Sequence, residues 1–183
     1  DGRAAAWGEE VARGGQLAGV ASAYYVGTGT GLAEGLKIEG VHLDLSRLRR
    51  VLPAAWGLPC PDGRSWEDEV SMGGMERVWK GSGDGPVQRA ARAGDGHAQE
   101  ILCAGARALG QWLLLRMEAL QAWEGKVLQR IVVGQRSGQL LAGGVYTLRG
   151  DPGGEIIAVP FADGAVTFEA HVGDDLRRVG GFV

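Results

Sequence analysis

The sequence predicts a mixed α/β domain, in which helices flank a β-sheet, and three features of the chain indicate it. Two apolar stretches, 20–26 and 32–38, surround a Gly-rich turn and have the pattern of a β-hairpin. A broad apolar stripe over 96–123 is typical of a helix that packs on a sheet. The β-branched stretch 127–133 then ends at Gly134, so hairpin, helices and a further strand follow one another as in a mixed sheet.

Other patterns complete the expected order of elements. We expect further helices over 2–12, 67–79, 86–93 and 137–148, and further strands over 155–161 and 165–170. Asp95 is expected to cap the long helix, because an Asp side chain accepts hydrogen bonds from the unpaired amides of a helix start. On the second hairpin strand Leu32, Leu36 and Ile38 share one face, and Glu34 is the charged exception on it.

Composition limits the kind of protein this can be. The 183 residues are 45% hydrophobic and 22% charged, which suits one domain with its own core. A net charge of −3 argues against nucleic acid or an anionic membrane as the main partner. No apolar run approaches the roughly 20 residues of a membrane helix. Cys60 and Cys103 form no metal-binding spacing, so we expect free thiols in the reducing cytoplasm.

The turn between the hairpin strands is the sharpest motif. Its alternating pattern consists of Gly27, Thr28, Gly29, Thr30 and Gly31. Phosphate oxygens require several converging backbone N–H groups, and glycines let a ligand approach them closely. The turn lacks the Lys-Ser/Thr pair of a P-loop and the following helix of a Rossmann motif. From the residues alone, a phosphate site and a purely structural hairpin turn both remain open.

Several stretches together resemble one family. The opening residues, DGRAAAWGE, are similar to the segment N-D-x-N-A-A-A-x-G-E of the ROK family (repressors, open reading frames, kinases), and the turn about twenty residues later resembles that family's G-T-G-x-G motif. Residues 60–71 match the family's C-G-x-x-G-C-L-E-x-x-x-S spacing at Cys60, Glu67 and Ser71. Stretches 92–108, 131–134 and 171–181 are similar to three later motifs, in the family's order.

This resemblance implies a fold and a domain organisation. ROK proteins belong to the actin-like ATPase superfamily, so it implies a ribonuclease H-like lobe. Residues 1–183 would then form the single C-terminal lobe of a two-lobe kinase whose N-terminal lobe is absent. The lack of an initiator Met likewise leads us to expect a fragment of a longer protein.

The resemblance also implies a function. The chain would be the phosphotransferase lobe of an ATP-dependent hexose or aminosugar kinase, inactive alone and using Mg²⁺. The alternative is a non-catalytic sugar- or nucleotide-sensing or dimerisation module of a ROK-type regulator. A homodimer through the apolar helix around 109–115 is a further expectation that comes from the family.

Roles for individual residues follow from the same resemblance. Asp1 would be the catalytic base, Gly27 to Gly31 would hold phosphates of ATP, and Gly134 with Gln135 would border the nucleoside. Glu67 would hydrogen-bond a sugar hydroxyl. Three of these residues also have a simpler interpretation. Asp1 and Glu67 are favourable as carboxylates at helix starts, and Gly134 is suited simply to end a strand.

Two departures from the family pattern alter what we expect. The family carries Gly-Gly where this chain has Gly134 and Gln135, and a glutamine side chain there would crowd the adenine or ribose. The family's zinc cluster needs three Cys and one His, and only Cys60 remains of it here. Because a tetrahedral zinc site needs four ligands, no metal site is predicted in the protein itself.

Overall fold

A computed structural model gives the structure of the chain for residues 2–80, 82–83, 85–125 and 128–136. It also gives the backbone of three strands in the last quarter of the chain. The helices are α1 (Gly2–Val11), α2 (Trp66–Val70), α3 (Met72–Lys80), α4 (Val87–Arg92) and α5 (Gly96–Glu124). The strands are β1 (Ala23–Thr28), β2 (Leu32–Ile38), β3 (Val41–Leu43), β4 (Arg130–Gly134), β5 (Gly144–Leu148), β6 (Glu155–Ala158) and β7 (Leu176–Gly181). Short 3-10 turns lie at Leu45–Arg47 and Ala55–Gly57.

Among the residues described, seven strands form one mixed sheet in the order β3-β2-β1-β4-β6-β5-β7. The first three strands are an antiparallel meander, as the hairpin pattern predicted. The chain then crosses through α2 to α5 and returns as β4, which pairs parallel with β1, and β6 pairs parallel with β4. The predicted mixed α/β class is confirmed by this arrangement.

Strand β1 lies at the centre of the layers, and it is buried on both faces. Tyr24 and Val26 point into the main core beneath α5, together with Ile131 of β4. Tyr25 points to the opposite face and packs with Ala6 of α1. Helices therefore cover both faces of the parallel centre of the sheet, as such strands require.

The long helix forms as the sequence predicted. Asp95 caps α5, and its side chain accepts a hydrogen bond from the Ala98 amide at 2.9 Å. At the other end Gly125 adopts the left-handed conformation that closes many helices. No helix in the part of the chain that the structure describes combines the length and the apolarity of a membrane span.

The single helix predicted over 67–79 is wrong, because Ser71 divides it. Ser71 has an extended backbone, with ψ of 146°, and it ends α2. Its hydroxyl then accepts a hydrogen bond from the Gly74 amide at 3.0 Å, as a cap for α3. The apolar spacing continued across the break, so periodicity alone did not reveal it.

The helix predicted over 137–148 is also wrong where the structure can test it. Residues 144–148 form β5, which pairs antiparallel with β6. Val145, Tyr146 and Thr147 are β-branched or aromatic residues, and their strand preference outweighs the weak helical spacing. Residues 137–143 and the strand predicted over 165–170 lie outside the described residues.

His42 of β3 packs against one face of α1. The side chain of His42 is 6% exposed, and its Nε2 lies 3.7 Å from Oε2 of Glu10. The Trp7 ring contacts it edge-on at 5.0 Å between ring centroids. Burial lowers the pKa of His42, and the positive charges of Lys37 and Arg3 act in the same direction against the raising effect of Glu10. The imidazole is therefore held in its neutral form.

We predict that Trp112→Ala destabilises the fold strongly. Trp112 of α5 is fully buried in the main core, and its indole N–H donates to the Tyr24 hydroxyl at 3.1 Å. Deleting a buried Trp typically costs about 3–5 kcal/mol of unfolding free energy, which urea unfolding would measure. Leu115→Ala, on an exposed position of the same helix, should cost less than about 1 kcal/mol. Equal losses for the two variants would contradict the orientation of α5.

We predict that His42 makes the fold less stable in mild acid. Its folded pKa lies below the ordinary 6.5, so the unfolded chain binds the proton more readily. Stability is then fully present above the unfolded pKa and falls as pH drops through it. Urea unfolding at about pH 7.5 and about pH 5.5 should show a smaller loss for His42→Gln than for the wild type. His97→Gln, which changes an exposed imidazole, is the matched control, and a wild-type slope in His42→Gln would refute the assignment.

Candidate functional site

The Gly-rich turn and the Gly134-Gln135 pair lie side by side, although the chain separates them widely. The parallel register pairs Gly27 with Gly134, and a further bridge joins Thr28 to Gln135. Both segments are thus at the carboxyl end of adjacent parallel strands, the edge at which α/β sheets usually bind ligands. Two of the predicted site segments are brought together in this way.

The turn opens into a cleft of about 670 Å³. Gly29, Thr30 and Gly31 line this cleft, and the side chain of Thr30 is exposed. Gly27 and Thr28 belong to β1 and are buried beneath it. Of the five residues predicted to hold phosphates, three face the cleft and two do not.

Only some of the backbone amides of the turn donate hydrogen bonds to described residues. The Gly29 amide donates to the Gly31 carbonyl at 2.9 Å, and the Leu32 amide donates to Oε2 of Glu67 at 3.0 Å. In the described part of the chain, no hydrogen bond starts from the amides of Thr30 or Gly31. Two neighbouring N–H groups at the mouth of a cleft can bind an anion such as a phosphate oxygen.

Glu67 reaches the turn from the first turn of α2. Ser65 caps this helix and fixes the direction in which Glu67 extends. A Cβ at Gly31 would come within 2.9 Å of the Glu67 carboxylate, so the glycine is what lets the carboxylate lie against the turn. Glu67 is therefore a wall of the cleft, but its negative charge lies beside the amides that would hold an anion.

Tyr25 explains why two glycines face each other across β1 and β4. Its hydroxyl lies so close to Gly134 that a Cβ there would collide with it, and a Cβ at Gly27 would come within 2.9 Å of it. Burial, followed by the negative charge of Glu9, raises the pKa of Tyr25 to about 12. The hydroxyl therefore stays protonated at neutral pH, and the two glycines serve its packing.

Gln135 occupies the space above the turn. Its backbone is left-handed, with φ of 54°, a conformation that strains most side chains. Its side chain extends over Gly27 and Gly29, and a Cβ at Gly29 would meet its Oε1 at 3.0 Å. Gln135 thus covers the Gly-rich turn itself, whereas the crowding predicted from the sequence concerned the adenine or ribose and stays a prediction.

The start of α1 reaches the same cleft. Gly2 is buried against the backbone of Glu34 and lines the cleft with Thr30 and Gly31. Asp1, the predicted catalytic base, lies outside the described residues, and its role stays a prediction. The helix that it precedes begins at the expected place.

A buried polar network forms another wall of the cleft. Arg116 of α5 is 4% exposed, and its Nη2 lies 2.6 Å from Oε1 of Glu34. The Tyr24 hydroxyl donates to the same oxygen at 2.6 Å and accepts from the Trp112 indole N–H. Burial, and then the neighbouring Glu34 carboxylate, hold the pKa of Tyr24 well above its ordinary value, so the hydroxyl remains a donor.

Sequence reasoning did not identify Glu34, Arg116 or Trp56 as residues of the site. Glu34 carried a signal, because it is the one charged residue on an otherwise apolar strand face. Arg116 lies within the apolar stripe of α5 and carried the same kind of signal. Trp56 lies in an irregular stretch with several prolines, where no periodicity applies.

No cluster of three or more metal-binding side chains occurs among the residues that the structure describes. For a magnesium nucleotide, the described residues that line the cleft offer the backbone of Thr30 and Gly31 and the carboxylates of Glu34 and Glu67. Mg²⁺ in nucleotide sites commonly binds one or two carboxylates together with phosphate oxygens and waters, and this lining fits that pattern.

We predict that Gly134→Ala destabilises the fold by about 1–3 kcal/mol, because overpacking against Tyr25 forces the two strands apart. Gly57→Ala is the matched control, since a Cβ there meets nothing within 4 Å. Thermal or urea unfolding measures both variants. Similar stability of the two would show that Tyr25 does not pack against Gly134 as described.

Two solved structures share the fold of this chain. One is the ROK hexokinase from Thermus thermophilus, which is 22% identical with a TM-score of 0.53 over 75% of this chain and 49% of that protein. The other is a ROK family glucokinase from Streptomyces griseus in complex with glucose and AMPPNP, also 22% identical with a TM-score of 0.53, over 87% of this chain and 62% of that protein. No protein-family model and no curated protein matches the chain.

The chain spans about half of the Thermus protein and about three-fifths of the Streptomyces protein. The resemblance to ROK sugar kinases that the motifs indicated is therefore confirmed by solved structures, and what this chain shares with them is their fold.

Proposed function

We propose that this chain is the C-terminal, phosphotransferase lobe of an ATP-dependent hexose or aminosugar kinase, and that it requires a second lobe for turnover. The observation that carries the proposal is the pair of amides at Thr30 and Gly31, which make no hydrogen bond to any described residue and belong to a cleft shared with Glu67 and the start of α1. The glucokinase with the same fold was crystallised with glucose and AMPPNP, which supports a sugar and a nucleotide as ligands.

In such a reaction, different residues would have different roles. The amides of Thr30 and Gly31 bind phosphate oxygens, and Gln135 lies at the side where β4 ends. Asp1, which directly precedes α1 in the sequence, would accept the proton of the attacking sugar hydroxyl as a general base. When bound, magnesium ATP supplies the transferable phosphoryl group, and positioning with charge stabilisation accounts for most of the rate in this class of reaction.

A lone lobe leaves this cleft open to water on one side. Phosphoryl transfer to a sugar competes with transfer to water unless a second lobe closes over the site. We therefore expect little or no kinase activity from these 183 residues alone. A coupled assay for ADP release with glucose, N-acetylglucosamine and fructose tests this, and robust turnover by the isolated chain would refute it.

One observation favours a second candidate, a non-catalytic sugar- or nucleotide-sensing module of a ROK-type regulator. The side chain of Gln135 covers Gly29, and the carboxylate of Glu67 already accepts the Leu32 amide. Both features weaken binding of a highly charged nucleotide at the turn. A module of this kind binds the sugar and has little affinity for ATP.

We predict that Gln135→Gly raises the affinity for AMPPNP by about three- to tenfold, because the variant removes the side chain above the turn and suits the left-handed backbone. Calorimetry would measure this. Glu39→Gly is the matched control, since Glu39 is the other non-glycine residue of the described chain with positive φ and does not line the cleft. If neither the wild type nor Gln135→Gly binds AMPPNP, the turn is not a phosphate site.

A further inference from the structure

Glu34 and Arg116 form an ion pair, and each side chain has a polar atom that makes no hydrogen bond among the described residues. Hydrogen bonds to the Glu34 carboxylate, from the Tyr24 hydroxyl and from Nε of Arg116, end on Oε1. Nη2 of Arg116 lies near the same oxygen and donates to the Pro53 carbonyl at 2.5 Å. In the described part of the chain, no hydrogen bond ends on Oε2 of Glu34 or starts from Nη1 of Arg116. The side chains of Glu34 and Arg116 are 10% and 5% exposed.

Oε2 of Glu34 is an acceptor and Nη1 of Arg116 a donor, and both residues line the cleft as part of its wall. Hydroxyl groups both donate and accept hydrogen bonds, so the hydroxyls of one ligand can satisfy a carboxylate oxygen and a guanidinium N–H. Because the two charges neutralise each other, this wall favours a neutral hydroxylated ligand over an ionic one.

A tryptophan lies at the rim of the same cleft. The side chain of Trp56 is 58% exposed, although the guanidinium of Arg49 lies 5.2 Å from its ring centroid. Trp7 is about equally exposed but lies outside the cleft, whereas Trp56 lines it with Glu34 and Arg116. Ligand pockets combine an aromatic surface with a few placed polar groups. Trp56 offers such a surface to an apolar ring face.

We propose that Glu34, Arg116 and Trp56 form the sugar-contacting wall of this cleft. One hydroxyl of a neutral pyranose donates to Oε2 of Glu34, another accepts from Nη1 of Arg116, and the C–H face of the ring packs on Trp56. This rests on the proposed function for the identity of the ligand as a sugar, and it adds three contacts that no motif predicted. Glu67 then serves mainly as the partner of the turn.

The first test follows the tryptophans directly in the 183-residue protein. Indole N–H resonances of a ¹⁵N-labelled sample are recorded during titration with D-glucose and with N-acetylglucosamine, which detects binding even in the millimolar range. We expect the Trp56 resonance, identified by Trp56→Phe, to shift with saturation. The resonance of Trp7, which is 55% exposed and lies outside the cleft, should stay in place. No saturable shift of Trp56, or equal shifts of both, would overturn the proposal.

Variants then separate binding from folding. Trp56→Ala should weaken sugar binding by about fivefold or more and Trp7→Ala should leave it unchanged, since both side chains are exposed and neither supports the core. Glu34→Gln keeps an oxygen for Tyr24 and Arg116 but replaces the acceptor in the cleft by a donor, so we expect a loss of about tenfold or more. Unchanged affinity in a folded Glu34→Gln protein would refute the hydroxyl contact.

Binding of AMPPNP, measured on the same samples, distinguishes the proposal of a sugar-contacting wall from the proposed kinase function. Nucleotide binding without sugar binding contradicts the sugar wall and leaves the phosphate turn supported. Sugar binding without nucleotide binding supports the wall and contradicts the kinase function. A Trp56→Ala protein that loses the sugar but keeps AMPPNP supports both.

Discussion

The candidate site depends on the parallel pairing of β1 with β4. This register places Gly27 beside Gly134 and brings the end of the hairpin to the end of a strand from a distant part of the chain. Tyr25 packs against both glycines from the face of α1, which leaves no room for a larger residue at Gly134. The geometry of the cleft edge is therefore set by core packing, before any ligand is considered.

Charge is unevenly distributed around that edge. The amides of Thr30 and Gly31 provide partial positive charge, and the Glu67 carboxylate lies next to them. Glu34 is compensated by Arg116, so it does not add to the negative potential. The balance between amides and one carboxylate decides whether an anion or a neutral ligand binds more readily at the turn.

Local patterns in the sequence were enough to predict much of this fold. The hairpin, the Asp95 cap and β4 followed from turn chemistry and periodicity, which act within a few residues. The break at Ser71 and the strand β5 were missed, because weak spacing there suggested helix where capping and β-branched residues decide the structure. The ion pair of Glu34 and Arg116 in the cleft wall could not be predicted, since it joins residues more than eighty positions apart.

The order of pairing in the sheet has a kinetic consequence. The meander of β1, β2 and β3 closes loops of a few residues and can form within microseconds. The register between β1 and β4 pairs Ala23 with Arg130. The loop that this pairing closes therefore contains the whole helical segment. Contacts of such high sequence separation slow folding. We therefore expect the cleft to assemble late in folding, and a nascent or shortened chain that lacks β4 would carry the turn without the rest of the candidate site.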